Sequence, residues 1–112
     1  MKPYQKICYD FVVWCKPRLD IQGKIRVRLV NRHIQNGNQK TFAYFDPKSH
    51  QIVVSILDRH PTDVCRSICH EMVHLKQSEF RPLTISDGIT GSDCENQANA
   101  IAGILLRLWN QV

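Results

Sequence analysis

A chain of 112 residues, 43% hydrophobic and 22% charged, supports one modest hydrophobic core in a single domain spanning 1–112. No apolar run approaches the roughly 18 residues of a membrane span, and the start Met1-Lys2-Pro3-Tyr4 lacks the basic-then-apolar pattern of a signal peptide, so a cytoplasmic protein with no membrane contact is expected. The net charge of +5 is uneven: residues 1–60 hold 11 Lys/Arg against 4 Asp, and residues 61–112 hold 4 Lys/Arg against 6 Asp/Glu. That basic first half is either a solvated face or a surface that attracts nucleic acid or an acidic partner, though no interleaving of aromatic and basic residues favours the second.

In chain order, Tyr4, Ile7, Cys8, Phe11, Val12 and Cys15 recur at helical spacing, predicting a helix over 4–16 that Pro17 ends. Residues 24–32 alternate, with Ile25, Val27 and Leu29 opposite Arg26, Arg28 and Arg32, as in a half-buried strand. Asn36-Gly37-Asn38 marks a turn. Residues 41–45 and 51–57 read as strands joined through Asp46-Pro47-Lys48-Ser49-His50 into a hairpin.

Pro61-Thr62-Asp63 signals a helix start with Thr62 as N-cap, and Cys65, Ile68, Cys69, Met72 and Leu75 form an apolar stripe that runs to about Gln77. Pro82, Gly88 and Gly91 make 79–91 a loop, and Ser92 or Asp93 opens a last helix with the stripe Ala98, Ile101, Ala102, Leu105, Leu108 and Trp109. The expected fold is α+β: a helix, a three-stranded mixed sheet of order 1-3-2, and two further helices separated by a long loop. Five cysteines, an odd number without Cys-x-x-Cys pairs, predict free and mostly buried thiols rather than a disulfide framework.

His70-Glu71-Met72-Val73-His74 is an H-E-x-x-H pattern inside a predicted helix. Spacing i, i+4 sets both imidazoles on one face, a turn apart, where they can grip one tetrahedral zinc ion. Glu71 is displaced around the helix, where its carboxylate can take a proton from a water acidified by the metal. The plain alternative is a chance match on a half-exposed helix. A third ligand is needed, and Glu95, 21 residues beyond His74, is the best candidate. Ser92-x-x-Glu95 also fits a capping box, which would turn Glu95 back to its own helix start, unless Asp93 is the N-cap. Asn99, four residues on, can accept from the distal nitrogen of a ligand imidazole or stand in solvent. Arg66 and the turn residues His33, His50 and His60 read as surface groups.

These residues, His70 to His74 followed by Glu95-Asn96-Gln97-Ala98-Asn99, resemble the gluzincin metallopeptidases, whose helix-borne third ligand is a glutamate. The order of elements is similar to the compact minigluzincin form of that zincin-like fold. The string from His70 to Gln77 is similar to small SprT-like proteins, and Glu95-x-x-Ala98-Asn99 to the ImmA/IrrE type. The resemblance is specific over about 15 residues. It implies a peptidase holding one Zn2+ through His70, His74 and Glu95, with Glu71 as base and acid and a peptide or protein as substrate. It further implies an edge strand lining the cleft, for which Thr41, Phe42, Ala43, Tyr44 and Phe45 are the candidates. No Cys-rich ribbon follows the motif, which weakens a DNA-linked role. No Tyr or His after Glu95 offers itself to an oxyanion; Tyr44, His50, His60, Arg66 and Arg81 remain open for that task. A non-enzymatic zinc-stabilised binding module is the alternative class.

Overall fold

The computed structural model describes residues 3–81, 83–88 and 91–111. Helix α1 (Pro3–Arg18) is followed by strand β1 (Arg26–Val30), the short strands β2 (Ile34–Asn36) and β3 (Gln39–Thr41), and strands β4 (Ala43–Asp46) and β5 (Gln51–Ser55). Helix α2 (Pro61–Ser78), a 3-10 turn (Ile85–Gly88) and helix α3 (Asp93–Trp109) complete this α+β fold. The main sheet is mixed, in the order β1-β5-β4, with β5 parallel to β1 and antiparallel to β4. This is the expected 1-3-2 order, and it leaves β4 on an edge. Among the described residues no helix is long and apolar enough to cross a membrane.

Strand β5 buries Ile52, Val53, Val54 and Ser55, as a central strand covered on both faces must. Its inner side chains Ile52 and Val54 join the core formed by Phe11 of α1, Ile68 and Met72 of α2, and Ala102 and Leu106 of α3. Val53 points the other way and packs with Val30 and Ile34, so the β2–β3 hairpin covers the outer face. Arg26 and Arg28 stay exposed on β1, whereas Arg32 lies beyond its end.

Several local expectations are corrected. The hairpin at 34–41 forms a second sheet where only a turn was expected; Gly37 supplies its φ of 64°. The strand expected over 41–45 is divided: Thr41 pairs with Ile34 in one sheet, and Ala43 pairs with Val54 in the other. Pro17 lies inside the last turn of α1 rather than beyond it, and the chain leaves the helix through Asp20 at φ 54°. His60, not Thr62, caps α2, because its Nδ1 accepts from the Thr62 amide (3.1 Å) with Pro61 in the first turn. On α3, Leu108 is exposed and Leu106 takes its place in the core. The loop after α2 holds the 3-10 turn; Pro82, one of its expected breakers, lies outside the described residues. All five cysteines are free, with Cys8, Cys15, Cys65 and Cys69 buried.

Candidate metal centre

Helix α2 lies between core and cleft, so apolar residues are buried around much of it and the two polar residues Glu71 and His74 are each only 8% exposed. His70 and His74, one turn apart, bring their Nε2 atoms to 3.1 Å. Helix α3 meets α2 at its own N-terminus. Ser92 is its N-cap and accepts from the Glu95 amide at 3.2 Å. Only the backbone of Glu95 serves that cap. Its carboxylate turns to the imidazoles, with Oε2 3.2 Å from His70 Nε2 and Oε1 2.5 Å from His74 Nε2. The capping box is therefore only half formed among the described residues: Ser92 caps the helix, but the Glu95 side chain turns to the histidines instead of back to the helix start.

Ligand-forming atoms of His70, Glu71 and His74 all lie within 4.8 Å of one another, a group that could hold a metal ion. Ligands about 2.0–2.1 Å from a tetrahedral zinc stand about 3.3 Å apart. The His70–His74 and His70–Glu95 separations match that spacing. The His74–Glu95 edge, at 2.5 Å, is shorter than that spacing. Two carboxylates compete for third place. Glu95 touches both Nε2 atoms, whereas Glu71 Oε2 is buried without a hydrogen-bond partner among the described residues. Burial pushes the Glu71 carboxyl up to about 7; His74 opposes the rise and the Glu95 charge adds to it. Two imidazoles and a carboxylate are a donor set that could hold a metal ion, and the Glu95 carboxylate faces both imidazoles.

The centre opens into a cleft of two lobes that share Ala43, Glu71, Gly88 and Glu95. Thr41, Phe42, Arg66 and Asn99 help line one lobe of about 330 Å³, and Tyr44, Phe45, His74 and Leu83 the other, of about 240 Å³. Thr41, Phe42, Ala43, Tyr44 and Phe45 all line this cleft. Ser55 N–H donates to the Phe42 carbonyl at 2.8 Å. Alternation then turns the backbone groups of Tyr44 and Asp46 to β5 and leaves those of Ala43 and Phe45 on the free edge. Another concavity of about 310 Å³, walled by Val12, Ile25, Val27 and Leu29, brings no carboxylate or imidazole together.

Of the groups considered for an oxyanion, Tyr44 and Arg66 line the cleft. His60 caps α2, His50 meets the Phe45 ring edge-on at 6.3 Å, and Arg81 forms an ion pair with Asp87 at 2.9 Å. Asn99 lines the cleft without a hydrogen bond to either imidazole among the described residues. The partner of His74 Nδ1 is Gln77 Oε1, at 2.7 Å. Sequence reasoning missed Gln77, although its i+3 spacing from His74 was the available signal. No protein-family model matches this chain, and no curated protein or solved structure matches it either.

Proposed function

We propose that this chain is a zinc-dependent peptidase of compact gluzincin type, with His70, His74 and Glu95 holding the ion and Glu71 moving the proton. The observation that carries this reading is the convergence of two Nε2 atoms 3.1 Å apart with the Glu95 carboxylate, beside a buried Glu71 oxygen that lacks a partner among the described residues. Zinc, when bound, supplies a Lewis acid that polarises a carbonyl and makes water easier to deprotonate. Glu71, with its carboxyl raised to about 7, takes a proton from the attacking water and returns it to the leaving amine. The outward amide and carbonyl groups of Ala43 and Phe45 hold an extended peptide along β4, across both lobes.

One competing reading has a specific observation behind it. Glu71 lies close enough to His70 and His74 to be a ligand itself, which would make the centre a closed structural staple. Metal analysis of chelator-free protein and of Glu71→Gln separates the two. The peptidase reading expects one zinc per chain in both and hydrolysis of a diverse peptide mixture by the first alone. A sharp loss of zinc from Glu71→Gln supports the staple.

A further inference from the structure

Gln77, in the last turn of α2, makes three polar contacts: Oε1 with His74 Nδ1 at 2.7 Å, and Nε2 with the Cys94 carbonyl at 3.0 Å and Gln97 Oε1 at 2.8 Å. These fix the orientation of its amide. A backbone carbonyl only accepts, so the nitrogen of Gln77 must face Cys94 and its oxygen must face His74. An amide oxygen also only accepts, so His74 Nδ1 must carry a proton and donate it. In a neutral imidazole the lone pair then belongs to Nε2, the atom beside His70 Nε2 and Glu95.

We propose that Gln77 is the positioning residue of this centre: by accepting from His74 Nδ1–H it sets the tautomer and ring orientation of His74. The inference rests on the zinc reading above. Cys94 immediately precedes Glu95, so a single side chain spans from one donor to the backbone that presents another. It adds a side-chain link between α2 and α3 to those that Glu95 makes with His70 and His74. This is the role considered for Asn99, filled from within α2. Partners of this kind are worth about 10- to 100-fold in metal affinity.

The test compares wild type with Gln77→Met, similar in length and without the amide, and with Gln77→Glu, which keeps an acceptor for His74 but loses the donors to α3. Zinc affinity is measured by chelator competition, and the His74 Nδ1–H signal of zinc-loaded protein by 15N-resolved NMR. Gln77→Met is expected to bind zinc about 10- to 100-fold more weakly and to lose protection of that proton against exchange. Gln77→Glu is expected to retain the protected proton and to stay within a few-fold of wild-type affinity. Wild-type affinity and an unchanged Nδ1–H signal in Gln77→Met would overturn this inference alone. So would a Gln77→Glu variant as weak as Gln77→Met, because the contacts to α3 would then carry the effect. Wild-type protein that takes up no zinc would overturn the zinc reading and this inference with it.

Discussion

Removing the Glu95 carboxylate should destabilise the zinc-loaded protein far more than the metal-free one. The Ser92 cap uses the Glu95 amide, so Glu95→Ala leaves the start of α3 intact. What disappears is the oxygen pair that faces His70 and His74. If zinc binding is worth about 10–16 kcal/mol and three protein ligands share it evenly, losing one weakens affinity by at least about a hundredfold. With free zinc at a thousand times the wild-type Kd, wild type gains about 4.1 kcal/mol, and a variant bound a hundredfold more weakly gains about 1.4 kcal/mol. For a 112-residue chain the difference, roughly 2.7 kcal/mol, lowers Tm by about 10 °C. Paired thermal melts with zinc and with chelator read this directly. Equal shifts in both states would refute the ligand role and leave Glu95 a stabiliser of the helix start.

Three further outcomes are expected. Because burial raises the Glu71 carboxyl from 4.5 to about 7, the metal-free folded state binds more protons than the unfolded chain in that interval. Its stability should therefore fall as pH rises from about 4.5 to 7, by on the order of 3 kcal/mol, and Glu71→Gln should flatten that slope in denaturant titrations; parallel slopes would contradict the burial argument. All five thiols should titrate after unfolding without reductant, and in native protein Cys94, the only one not buried, should react first; a shortfall of two thiols would mean a disulfide. N-methylation of a substrate amide that pairs with the β4 edge should raise KM with little change in zinc content, whereas an unchanged KM would remove β4 from substrate binding.

What the sequence disclosed follows from how local each signal is. His70, Glu71 and His74 were legible because i, i+4 spacing fixes their geometry within a single helix. The mixed sheet was legible because Val27 and Leu29 alternate with arginines and Ile52 to Val54 form an apolar run. The 34–41 hairpin was hidden because Ile34 is its one aliphatic residue, and its burial depends on Val30 and Val53 from other strands. His60 was missed as a cap because an imidazole is not among the preferred capping side chains. Glu95 was ambiguous, since one spacing serves both a cap and a ligand, and only the approach of α3 to α2 shows its amide in the Ser92 cap while its carboxylate faces His70 and His74. Gln77 was overlooked because its bonds to Cys94 and Gln97 cross between helices, which no sequence period records.

The proposed function is hydrolysis of peptide bonds with Glu71 as the proton carrier. Its most direct test is the incubation of a diverse peptide mixture with zinc-loaded wild type and zinc-loaded Glu71→Gln, with new termini identified by mass spectrometry. New termini are expected with wild type, none after chelation, and a loss of several orders of magnitude in rate with Glu71→Gln at equal zinc content. Folded, zinc-loaded wild type that produces no new termini, or a Glu71→Gln variant that cleaves as fast, would contradict it.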